Sequence, residues 1–198
     1  MKMHKIILYT IVILSLNSCT KKQVKVPVVP MQGEEKVANN SALWFFYGKN
    51  GALDLNEHNR ISSTNWFFNI DKKLALHKVF PEVIRLIKKH NEKSPHNTKP
   101  MKNYFTYVNS TNQHLSFYNI DSIQYYLVKP KELPHFSKDT LAITISNARP
   151  NLPTKMDENT VIQPIFKANM NFQDYFSALS ELKKQKLTIS KKEYILLD

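Results

Sequence analysis

Residues 161–197 read VIQPIFKANMNFQDYFSALSELKKQKLTISKKEYILL. Val161 to Phe166 is a short apolar run of strand length. Phe172, Tyr175, Phe176, Leu179 and Leu182 then recur at spacings of three and four, the buried stripe of an amphipathic helix. Asn171 stands at its N-cap, with Asp174 three residues on as a capping-box variant. Lys183, Lys184 and Lys186 close it, where cations meet the negative end of the helix dipole. Leu187–Ile189 and Tyr194–Leu197 read as terminal strands. This tail therefore predicts strand, helix, strand.

The same logic extends upstream. Leu74 to His90 places Leu76, Val79, Phe80, Val83, Ile84 and Ile87 on one helical face. Pro81 inside that pattern predicts either a kink or a helix that starts near residues 78–81. Strands are predicted at Ala42–Tyr47, Ala52–Leu55, Asn65–Ile70, Tyr104–Val108, Leu115–Ile120, Ile123–Val128 and Leu141–Ile145. Gly48-Lys49-Asn50-Gly51 supplies turn chemistry, and residues 109–114 suit a second hairpin. The expected class is α+β, a mostly antiparallel sheet with about two amphipathic helices packed on one face. No internal repeat is visible.

The first 20 residues carry a different message. Lys2 and Lys5 precede an apolar segment, Ile6 to Leu16, of signal-peptide length. A spanning helix needs ~20 apolar residues, so this run is too short. It ends in Leu16-Asn17-Ser18-Cys19. Those residues resemble the lipobox of bacterial lipoproteins; Asn17 departs from it, at a position that usually holds Ser or Ala. The resemblance implies diacylglycerol on the Cys19 thiol, cleavage before Cys19, and acylation of the new N-terminus. It also implies a membrane partner through that lipid and a cell-envelope location. Thr20-Lys21-Lys22-Gln23 lacks the acidic cluster of lipoproteins displayed at the cell surface. A periplasm-facing protein of a Gram-negative bacterium is the corresponding expectation.

The organisation that follows is a signal peptide over 1–18, a lipidated N-terminus and flexible tether over 19–40, and one globular domain over 41–198. Two prolines, Pro27 and Pro30, and β-branched neighbours disfavour helix in the tether. A flexible segment of that length would reach roughly 25 Å. Cys19 is the sole cysteine, so the domain has no disulfide and must rest on its core.

The formal charge of +12 falls by two when Lys2 and Lys5 leave with the leader. A basic exported protein suits an anionic envelope polymer, an envelope protein or lipid head groups. Nucleic acid is not expected in that compartment. The densest basic patch is Arg85, Lys88, Lys89, Lys93, Lys99 and Lys102, opposed by Glu92. It is the candidate site for an anionic partner; the alternative is a solvated helix end and loop.

Only Gly33, Gly48 and Gly51 are glycines. No phosphate-cradling loop, dinucleotide fingerprint or nucleophile elbow can be built from them. No cofactor and no metal are expected. His90 and His96 share a polar stretch with Glu92, but their spacing is not that of a metal site. Aromatic residues cluster at Trp44-Phe45-Phe46-Tyr47, Trp66-Phe67-Phe68, Tyr104 to Tyr107 and Tyr125-Tyr126. Adjacent rings on a strand face opposite ways, so one of each pair fills the core. The other meets a covering element or a ligand.

The leading functional reading is a non-enzymatic envelope lipoprotein that binds a partner protein or polymer. A hydrolase of envelope glycan or peptide is the alternative, and no catalytic residue is assigned. A third reading is an accessory subunit of an envelope transport complex. The strand–helix–strand tail is similar to periplasmic domains of energy-transducing transport proteins.

Overall fold

The computed structural model describes residues 22–92, 101–153, 157, 159–185 and 187–197. Among the described residues two helices and eleven strands form an α+β fold with two sheets. The first sheet holds β1 (Val28–Val29), β2 (Asn40–Tyr47), β3 (Leu53–Asn56), β4 (Asn65–Ile70), β5 (Asn103–Asn109) and β6 (His114–Asn119). The second holds β7 (Gln124–Val128), β8 (Thr140–Ile145), β9 (Val161–Lys167), β10 (Thr188–Ile189) and β11 (Lys192–Leu196). Helix α1 (Leu76–Asn91) joins β4 to β5, and α2 (Phe172–Lys184) lies between β9 and the final strands.

The sheets are mostly parallel, which corrects the antiparallel expectation. Among the described strands only β2–β3 and β5–β6 pair antiparallel; the other seven pairings are parallel. The two exceptions are the two hairpins. A hairpin turn is a local signal, whereas a parallel neighbour is reached through a crossover. The near-continuous apolar runs of β4 and β9 fit strands buried on both faces, as parallel strands are. The expectation of a single sheet with helices on one face is corrected too. The inner faces of both sheets and the apolar faces of both helices close one core.

That core is aromatic. Phe105 of β5 lies 5.3 Å from Phe172 and 6.2 Å from Tyr125, ring to ring, so it touches α2 and the second sheet. Phe80 of α1 packs on Tyr125 at 4.9 Å and Tyr175 at 5.4 Å. Such pairs contribute ~0.5–1.5 kcal/mol each beyond the area they bury.

Residues 25–37 belong to the domain rather than to a tether. Lys72 N donates to Lys25 O at 2.8 Å, β1 pairs with β5, and Glu34 bridges Phe117. Val29 and Met31 are buried. The prolines that break helix here leave an extended strap free to add to a sheet edge.

Helix α1 begins at Leu76 and runs through Pro81, whose ring lies on the exposed face. Its first turn is held from outside. Leu76 N donates to Met170 O and His77 N to Ala168 O, both at 2.9 Å. The start of α2 returns the arrangement: Phe172 N donates to Leu74 O at 2.8 Å and Gln173 N to Lys72 O at 2.9 Å. Ala75 and Asn171, 96 positions apart, bridge each other at the centre.

The same shift maps Ile70 onto Phe166, Leu76 onto Phe172, Phe80 onto Phe176 and Leu86 onto Leu182, all buried. Each half places three parallel strands side by side, β2–β4–β5 and β8–β9–β11, with its helix after the middle one. The domain is thus two like units related by a pseudo-twofold through Ala75 and Asn171, a repeat the residue identities hide.

Candidate binding face

Strand β2 alternates. Leu43 and Phe45 are wholly buried, while Trp44 and Phe46 point to the other face and stay half-buried. Their rings lie 6.4 Å apart and 20° from parallel. On neighbouring β3, Asn56 sits opposite Trp44 and Asp54 opposite Phe46. Lys22, Gln23 and Val24 run alongside, and with Asn59 they complete a groove of about 430 Å³. Lys22 is ion-paired with Asp54 and has its ammonium 5.9 Å from the Phe46 ring centre.

At the strand end Tyr47 is 46% exposed, with Lys73 Nζ 5.8 Å from its ring. Asn50 and Gly51 both take positive φ there, as Asn-Gly turn chemistry requires. The result is an open aromatic surface edged by amides and lysines. Two flat rings, amide donors and acceptors, and ammonium groups suit hydroxyl-bearing or anionic polar groups.

The Trp66–Phe68 and Tyr104–Tyr107 clusters are covered, whereas Tyr126 stacks on Tyr194 and stays exposed. Phe67 stacks on Phe117 at 4.2 Å and meets Tyr104 edge-on, with Val37 of the strap packed over them. Tyr104 donates to Glu34 Oε2 at 3.3 Å. Burial, then the Glu34 charge, pushes its phenol up to about 12.

Of the basic patch, Arg85 is ion-paired. Arg85 Nε binds Glu82 at 2.7 Å and its Nη2 binds Glu57 at 3.0 Å. Lys88, Lys89 and Lys102 are exposed; Lys93 and Lys99 lie outside the described residues, as do Cys19 and His96. His90 is buried in the last turn of α1, its ring stacked on Trp66 at 4.0 Å and 6°. Its Nε2 faces Thr64 O at 3.0 Å, and its Nδ1 faces Asn103 Oδ1 at 2.8 Å. His90 is therefore a core residue. Among the described residues no three His, Cys, Asp or Glu side chains form a group able to hold a metal ion.

Sequence reasoning missed Glu193. It sits between two lysines and a tyrosine in the sequence, yet it is 2% exposed on β11. Tyr175 of α2 donates to its Oε2 at 2.6 Å. Burial lifts the carboxyl to about 7, against the Tyr175 hydrogen bond and the Lys183 charge. Tyr125 and Tyr175 are pushed well above the usual phenol range by burial first and then by Glu193. Lys183 lies over the Tyr118 ring, 3.9 Å from its centre. A perturbed carboxyl often marks a catalytic cleft. This one is packed against α2, and the groove lined by Trp44 does not include it.

No family model, no curated protein and no solved structure matches this chain. Among the described residues no helix is long and apolar enough to cross a membrane.

Proposed function

We propose that this chain is a membrane-anchored envelope lipoprotein, lipidated at Cys19, that works as a non-enzymatic binding module. The observation that carries the reading is the groove of Trp44, Phe46, Asn56 and Lys22, which opens to solvent only three residues beyond Cys19. Its lining suits recognition of polar or anionic groups, and its position suits a domain held at the envelope membrane. The positive formal charge agrees with an anionic partner there.

The test is a gentle detergent pull-down of the full-length protein from native membranes, with mass spectrometry of the N-terminal peptide and of co-purifying material. An acylated Cys19 and a stoichiometric envelope protein or polymer is the expected result. An unmodified Cys19 in the soluble fraction overturns the anchor. Turnover of envelope glycan or peptide by the purified protein overturns the non-enzymatic part.

A second reading is an accessory subunit of an envelope transport complex. Its support is the strand–helix–strand build of residues 161–196, which recurs at 65–109. Co-purification of transport proteins in the same pull-down would favour it.

A further inference from the structure

We infer that the outer face of β2 and β3, with Trp44 and Phe46 at its centre and Tyr47 at the strand end, docks on anionic lipid head groups. The inference rests on the anchoring proposed above and names the partner of the same face. Three observations combine.

The first is reach. Lys22 is already fixed to the domain by Asp54 and Phe46, and Lys25 by Asp71 and Lys72. Lys22 is the third residue after Cys19, and those three steps fully extended span roughly 11 Å at most. The head-group layer is itself about 5–8 Å deep per leaflet. A diacylglyceryl group on Cys19 therefore brings the surface around Lys22 to the head groups, with no long spacer to hold it away.

The second is the chemistry of the surface brought there. Trp44 and Phe46 are half-buried on the sheet face away from the core, and Tyr47, at the end of β2, is 46% exposed. Tryptophan and tyrosine favour the membrane–water interface, where one end of the ring is apolar and the other wet.

The third is charge. Lys22 lies 5.9 Å from the Phe46 ring centre and Lys73 5.8 Å from that of Tyr47, and both are exposed, as are Lys25 and Lys49 close by along the chain. The carboxylates that face them are already engaged. Asp54 pairs with Lys22, and Asp71 accepts the backbone amides of Lys25 and Lys73 at 3.1 and 3.0 Å. A basic rim around aromatic side chains complements an anionic lipid surface.

The chain contains two tryptophans, and Trp66 is 1% exposed, so fluorescence separates them. The full, natively lipidated protein is placed in phosphatidylglycerol vesicles whose acyl chains carry bromine, a short-range quencher. The expected result is quenching of the Trp44 share of the emission and its shielding from aqueous acrylamide. Trp44→Phe should remove the quenchable share and leave the Trp66 emission. A Lys25→Glu/Lys73→Glu variant should weaken the quenching and restore acrylamide access.

With Cys19 shown to be acylated by mass spectrometry, a Trp44 that acrylamide reaches and bromolipid does not overturns the docking alone. Shielding of Trp44 by soluble envelope polysaccharide, without bromolipid quenching, overturns it in favour of a saccharide. An unmodified Cys19 overturns the anchor, and the docking with it.

Discussion

Tyr175 and Glu193 meet inside the core, hydroxyl to carboxyl, at 2.6 Å. The pair ties α2 to β11, the central strand between β9 and β7. It has a signed consequence for stability. Glu193 rises from 4.5 to about 7, with burial the leading cause. A carboxyl raised on folding holds its proton more tightly in the folded state. Its contribution is whole below about pH 4.5 and fades as pH rises through about 7. That span corresponds to roughly 3 kcal/mol. Glu193→Gln should therefore flatten the stability–pH curve between about pH 4.5 and 8, and gain on the parent protein at the alkaline end. Urea denaturation across that range checks it; parallel curves for the two proteins would remove Glu193 from the account.

The crossed hydrogen bonds of Leu76, His77, Phe172 and Gln173 predict unusual amide exchange. First-turn amides of a helix have no partner within it and ordinarily exchange with solvent. Here both helices place theirs on carbonyls of the other unit. All four amides should be protected nearly as well as those mid-helix, and the two units should open together. Fast exchange at these positions, beside slow exchange at Leu86 and Leu182, would mean that the units open separately.

Gly33 sets how closely the strap can lie on the sheet. A Cβ there would fall 2.3 Å from the Tyr107 hydroxyl and 2.8 Å from the Phe117 carbonyl. Gly33→Ala should lift the strap and cost ~1–3 kcal/mol. Adding Tyr107→Phe should recover only part of the loss, because the Tyr107 hydroxyl also donates to Met31 O at 3.0 Å. Thermal unfolding measures the cost, and limited proteolysis near Gln32 reports the strap directly. An unchanged midpoint would contradict the close fit.

His90 offers a way to separate stacking from hydrogen bonding. His90→Phe keeps a flat ring for Trp66 but leaves Thr64 O and Asn103 without their ring-nitrogen partners. Losing a ring-nitrogen hydrogen bond to a buried acceptor costs ~1–3 kcal/mol. If His90→Phe and His90→Ala lose similar stability, the hydrogen bonds dominate. If His90→Phe matches the parent protein, the stack does.

Much of the local structure was legible in the residues themselves. Asn65–Ile70 is the strand its composition predicts, and Asn171 caps α2 with its side chain on Asp174 N at 2.8 Å. Periodicity and capping are properties of neighbours along the chain, so a sequence shows them. The aromatic alternation of β2 was legible too, as one ring in and the next out. Which outward rings stay open was not, because that depends on where the strap runs. It covers Phe67 and Tyr104 and stops short of Trp44.

The chain by itself determined two amphipathic helices, most of the strands and both hairpins. Only the tertiary structure decided the rest. Strand direction beyond the hairpins depends on partners far apart in sequence, such as Glu193 beside Tyr125. That register carries Glu193 into the core, though its neighbours read as surface. The pseudo-twofold through Ala75 and Asn171 stayed hidden because packing conserves burial and backbone hydrogen bonds rather than residue identity. Val28–Val29 becomes a strand only because the edge of β5 is there to receive it. Two residues carry no periodic signal, and the hydrogen bonds that order them come from the rest of the fold.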